Sequence, residues 1–280
     1  MDAPEVQIPG AESTDVEMGE ARESVDAKET ESTSAAGVPE EDGRPPEGKS
    51  QGLKFIDYLK SPIVELVIGR GENETTLTAH EALLTESPFF AEAIAGLKET
   101  GSRRIYLPDE SLDAVGCFLQ FQYTGEYFPR RVNTPGGGLE PDPSVPEIDD
   151  TGEQLLKHAR VYTLADKLGL PALKTLAHSK IHRISSTARG EIAYARYVYA
   201  NTPREDVTIR KPVAAFWATR SHVLRHEAEE EFRAMCLDFP KFGYDVLSLV
   251  LDQKEKRSQE KAEADSSVKG SARKRPRSGL

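Results

Sequence analysis

The run His80-Glu81-Ala82-Leu83-Leu84-Thr85-Glu86-Ser87-Pro88-Phe89-Phe90 decides the architecture. Residues 80–86 predict a short helix. Ser87-Pro88 predicts a new start directly behind it, because a serine hydroxyl can cap the next turn and proline at the first helical position has no N–H to waste. The second helix is expected over Pro88 to Ala95. Upstream, Ile63-Val64-Glu65-Leu66-Val67-Ile68 is apolar and β-branched and is closed by Gly69, which reads as a buried strand. Arg70 to Glu74 supplies a turn, and Thr75 to Ala79 reads as the returning strand of a hairpin. Downstream, Arg103 to Leu107 reads as a further strand, stopped by Pro108.

Helical patterns dominate from there. Asp109 to Thr124 places Leu112, Val115, Leu119 and Tyr123 at helical spacing, with Gly125 as the residue after the helix. Residues 129–152 hold five prolines and the triplet Gly136-Gly137-Gly138, and read as a long loop inside the folded region. Glu153 to Leu168 puts Leu155, Ala159, Tyr162 and Leu168 on one face. Pro171 opens a helix with Leu173, Leu176, Ala177, Ile181 and Ile184 inward. Further helices are expected over 190–200, 211–235 and 242–251. A small sheet with helices, followed by helices only, defines an α+β fold class.

Charge divides the chain further. Its 280 residues carry a formal net charge of −11. Residues 1–52 hold 14 acidic and 4 basic groups, whereas residues 253–280 hold 4 acidic and 9 basic ones. All 20 aromatic residues lie between Phe55 and Tyr244. An end without large apolar groups cannot offset its ordering entropy. The expected organisation is therefore a disordered acidic arm (1–52), a core (53–184) with a loop insert (129–152), a helical extension (185–252) and a disordered basic tail (253–280).

Several function classes are disfavoured. No stretch approaches the roughly 18 consecutive apolar residues of a membrane span, so no membrane association is expected. The acidic N-terminus lacks the apolar run of a secretory signal and is too acidic for a mitochondrial leader. Two cysteines, Cys117 and Cys236, cannot build a disulfide scaffold, and they point to a reducing compartment. The acidic middle is a poor nucleic-acid surface, so no specific nucleic acid is expected as a partner.

Segment 61–184 resembles the BTB/POZ domain. The likeness is carried in order by Val64–Gly69, by the run 80–90, by Ile105-Tyr106-Leu107-Pro108, by Phe118-Leu119-Gln120-Phe121-Gln122-Tyr123-Thr124-Gly125-Glu126-Tyr127, and by Val161-Tyr162-Thr163-Leu164-Ala165-Asp166-Lys167-Leu168. Val198-Tyr199-Ala200-Asn201-Thr202-Pro203 and the helices after it resemble the C-terminal extension of BTB proteins common in filamentous fungi. The resemblance implies a three-stranded sheet capped by helical hairpins, with Leu83, Leu84, Phe89, Leu119 and Tyr123 inward and His80 in a structural hydrogen bond. It also implies a non-enzymatic interaction module that forms a homodimer. Ile63 stands where the family often has an acid that lines a co-repressor pocket, Glu81 replaces a more usual basic residue, and the insert has no counterpart in the minimal domain.

Leu97-Lys98-Glu99 is expected after the second helix and before the strand at 103, and resembles the apolar-x-Glu motif that BTB adaptors present to a cullin in ubiquitin ligases. Its plainer reading is a helix end with solvated charges. Lys274-Arg275-Pro276-Arg277 resembles a nuclear localisation signal read by an importin, which implies a nuclear or nucleocytoplasmic location. A nonspecific nucleic-acid contact and a solubilising tail are the alternatives. His178/His182 and His222/His226 have i, i+4 spacing but lack a third ligand and the glutamate of zinc hydrolases, and read as helix-surface residues. Cys117 and Cys236 read as apolar fillers. No phosphate loop, nucleophile elbow or assembled catalytic set is present in the sequence, so neither an enzyme nor a cofactor is expected. Leu53 to Lys60 is apolar enough to pack on a partner or on its own domain.

Overall fold

Strand β1 (Ile63–Ile68) is the centre of a three-stranded sheet. It pairs antiparallel with β2 (Thr75–His80), Leu66 opposite Leu77, and parallel with β3 (Arg104–Leu107), Leu66 opposite Ile105. The sequence dictates this order. β1 is a near-continuous apolar run and buries Val64, Leu66, Val67 and Ile68, as a covered central strand must. β2 and β3 alternate and take the edges. Gly69 closes β1 at a φ of 86°, where a side chain would sit 2.7 Å from the Asn73 carbonyl oxygen. This computed structural model describes residues 54–132 and 137–271, with the backbone alone over 98–100 and 265–271. The acidic arm 1–52 and Lys274–Arg277 lie outside the described residues.

Helices α1 (Phe55–Leu59) and α2 (Glu81–Leu84) flank the hairpin. Helix α3 (Pro88–Thr100) starts where Ser87-Pro88 predicts. The Ser87 hydroxyl accepts from the Phe90 N–H at 3.5 Å and donates to the Leu168 carbonyl at 2.6 Å, so this buried serine joins two helix ends. α3 runs past the expected Ala95 to a left-handed Gly101, because Leu97, Lys98 and Glu99 are good helix formers and the lone Gly96 does not break it.

Helix α4 (Leu112–Thr124) begins three residues later than expected and ends at Gly125 as predicted. Leu112 is 42% exposed, and the inward face is Ala114, Val115, Cys117 and Phe118. Likewise Phe90 and Phe118, stacked at 5.5 Å, are fully buried, while Phe89, Leu119 and Tyr123 are half-buried. α4 is apolar around most of its circumference, so spacing alone does not choose the face. Leu83 and Leu84 are buried as expected.

The rest is helical: α5 (Glu153–Lys167), α6 (Pro171–Ile181), α7 (Ala188–Asn201), α8 (Val207–Glu227), α9 (Glu229–Asp238) and α10 (Pro240–Ser271). The single helix expected over 211–235 is two, turned at Ala228. The turn lets Trp217 stack on Phe232 at 5.3 Å, whereas a straight helix would hold them about 22 Å apart. α10 passes the expected end at 251 and makes a helix of the stretch 253–271, which was expected to be disordered. That stretch has no core to join, but it is built from good helix formers with Lys256 and Glu260 paired at i, i+4.

One apolar cluster extends from Val64 to Val246 and crosses the expected boundary at 184 without interruption. The fold is α+β, mostly helical with one small sheet. No helix among the described residues is long and apolar enough to cross a membrane.

Candidate interaction surfaces

α1 is inside out. Phe55, Ile56 and Leu59 are 54%, 51% and 39% exposed, while Asp57 and Tyr58 are the half-buried residues. Local bonds hold it this way. The Ser61 hydroxyl donates to the Tyr58 carbonyl and accepts from the Ala82 N–H at 3.1 Å, tying the helix to α2. A hydrogen bond to Glu86 pushes the Tyr58 pKa up, with burial and the Glu86 charge acting in the same direction. Ile63, at the start of β1, is also exposed. The segment that could have packed on its own domain thus leaves about half of the Phe55 and Ile56 surface in water, an arrangement typical of interaction sites.

Leu97-Lys98-Glu99 lies in the last turn of α3 rather than after the helix. Leu97 is half-buried and packs against the core. It borders a shallow pocket with Pro62, Ile94 and Arg103. The side chains of Lys98 and Glu99 lie outside the described residues.

The insert is pinned at both ends by residues that the sequence reading did not single out. At its start, Lys180 of α6 is fully buried. Its Nζ donates to the carbonyls of Tyr127 and, at 2.7 Å, Pro129, and pairs with the Glu126 carboxylate at 2.6 Å. Three ammonium donors therefore meet three acceptors. Burial lowers the Lys180 pKa more than Glu126 raises it. Burial pushes the Glu126 carboxyl up, but Lys180, the Tyr127 N–H and Arg131 outweigh this and hold it below the usual range. The Tyr127 hydroxyl meets His158 Nδ1 at 2.9 Å, and burial raises its own pKa well above the ordinary value. Burial, with Lys180 and Lys157 adding, drives His158 down to about 3. A neutral His158 shares a single hydrogen bond with the Tyr127 hydroxyl through Nδ1. This cluster is a structural clamp, with its polar groups spent on one another.

At the end of the insert, buried Asp149 accepts from the N–H groups of Gly152 (2.8 Å), Gln154 (2.9 Å) and Leu155 (3.0 Å), which cap α5. Gly190 of α7 presses against it, and a side chain there would lie 2.4 Å from the Asp149 carbonyl oxygen. Two signals were available. Lys180 falls on the apolar face of α6 defined by Leu173, Leu176 and Ala177, and Asp149-Asp150-Thr151-Gly152 precedes a helix start. Between the pins, the insert, α4 and α5 border a cleft of about 550 Å³. It mixes Asp113, Asp142 and Glu153 with Lys157 and Arg160 and favours neither sign of charge.

The remaining candidates have structural explanations. Pro212 lies inside α8 and cannot donate to the Thr208 carbonyl, and His178 Nε2 meets that orphan at 3.0 Å. His182 stands 3.2 Å from His178. No group of three metal-ligating side chains occurs among the described residues. His80 Nδ1 meets the Tyr123 hydroxyl at 2.6 Å, and its N–H donates to the same oxygen. Cys117 is buried and Cys236 half-buried, and burial raises both thiol pKa values. Comparison with protein-family models gives no match, and a search of curated proteins returns no matching relative.

Proposed function

We propose that this chain is a non-enzymatic interaction module of the BTB/POZ type, which self-associates and recruits partners. The inside-out α1 carries the reading. Two adjacent phenylalanine and isoleucine side chains held in water by a tethered helix favour burial against a second copy. The order of strands and helices from β1 to α5 supports the same reading. In its first use the module is a substrate adaptor for a cullin-type ubiquitin ligase, with Leu97–Glu99 facing the cullin and the C-terminal helices serving a client. The basic run Lys274–Arg277 favours an alternative, a nuclear scaffold or regulator delivered by an importin.

Affinity purification of the tagged full chain beside its Glu99→Arg variant tests these uses. Both should recover an untagged second copy. An adaptor recovers a cullin that the variant loses, and a nuclear scaffold recovers chromatin factors without a cullin. Recovery of neither a second copy nor a partner by the parent would remove the proposal.

A further inference from the structure

The groove between α8 and α10 stands apart electrostatically. It encloses about 430 Å³ and is lined by His222, Val250, Gln253, Lys254, Arg257 and Lys261 among others, with no carboxylate. This occurs in a chain whose net charge is −11. Lys254, Arg257 and Lys261 recur at i, i+3 and i+7, so they form one stripe on α10 facing the groove. Nearby lysines of the same helix are paired, Lys241 with Asp245 at 2.7 Å and Lys256 with Glu260 at 3.9 Å. The three groove cations have no ion pair among the described residues. The hydroxyls beside them, on Ser221 and Ser258, donate to their own helix carbonyls and cannot serve an anion.

We propose that this groove binds an acidic peptide segment of a partner protein, recognised through carboxylates placed against Lys254, Arg257 and Lys261. The stripe spans about 10 Å, the reach of about three extended residues or of two helical turns, so three Asp or Glu side chains on a single segment can meet all three cations. Val250, one turn before Lys254, suits a short apolar side chain at that end of the stripe. A nucleic acid fits less well, because its many phosphates need a cationic field broader than one stripe of three side chains. This inference is independent of whether α1 mediates self-association.

The test uses the full chain and a fluorescein-labelled oligoglutamate peptide, with anisotropy read at low and physiological salt. The expected result is saturable binding that weakens with salt. Lys254→Glu/Arg257→Glu/Lys261→Glu should weaken it tenfold or more, roughly the effect of three exposed ion pairs. The corresponding triple glutamine variant should give an intermediate loss. Control variants of equal charge change, Arg130→Glu/Arg204→Glu/Lys211→Glu, and a tail variant with Arg273, Lys274, Arg275 and Arg277 changed to Ala, should bind within about threefold of the parent. Unchanged helical circular dichroism certifies each variant. Equal losses in groove and control variants, or loss only in the tail variant, would overturn the assignment. Tighter binding of a labelled oligothymidylate of matched charge would overturn the choice of a peptide.

Discussion

Acid should destabilise this protein through His158 by an amount that subtraction can isolate. In the unfolded chain a histidine takes its proton near pH 6.5. In the fold, burial and the charges of Lys180 and Lys157 hold His158 down to about 3. Between those values the unfolded state binds a proton that the folded state does not. Stability therefore rises with pH across the window, is complete above about pH 6.5, and is lost as pH falls toward the folded value. A pH unit is worth roughly 1.4 kcal/mol per proton once the unfolded histidine is fully protonated, so descending from about pH 6.5 to about pH 4.5 should remove about 2 kcal/mol through this residue alone. His158→Gln keeps an acceptor for the Tyr127 hydroxyl and has nothing to titrate. Urea unfolding can be followed by the fluorescence of Trp217, the single and fully buried tryptophan. The variant starts less stable, but carboxylate titrations contribute to both proteins, so the difference in slope belongs to His158. Identical slopes for parent and variant would refute the reasoning.

Lys180→Ala should cost about 3–5 kcal/mol in the same unfolding assay, because it strands the Tyr127 and Pro129 carbonyls and the Glu126 carboxylate. Lys180→Met should cost less, since it fills the space and Glu126 retains some access to water; a methionine variant as stable as the parent would contradict the clamp. Gly190→Ala should cost roughly 1–3 kcal/mol, because the added methyl meets the Asp149 carbonyl oxygen and must push α7 from the end of the insert. Unchanged stability there would contradict that packing.

Local chemistry made part of the fold legible. Ser87-Pro88 marked a helix start, Gly125 marked a helix end, and the near-continuous apolar run of β1 marked a buried strand. What was missed depends on distant partners. The turn at Ala228 exists for the Trp217–Phe232 stack, and the inward face of α4 is chosen by Phe90 across the core. The helix beyond Gln253 was hidden because low apolar content there signals missing core contacts, not missing helix propensity. Of the candidate surfaces, Leu53 to Lys60 was visible as an apolar segment, but its outward direction was not, because that depends on Ser61 and Glu86 holding the opposite side. Lys180 was visible as a misfit on an apolar face, though its partners, more than fifty residues upstream, were not.

Self-association through α1 is the central claim, and light scattering on the full chain coupled to size separation tests it most directly. The parent should elute with the mass of two 30.9 kDa chains at micromolar concentration. Phe55→Glu/Ile56→Glu should elute as a monomer with unchanged circular dichroism, because both side chains are already in water in the single chain. A monomeric parent, or a dimer that survives the double substitution, would contradict the account.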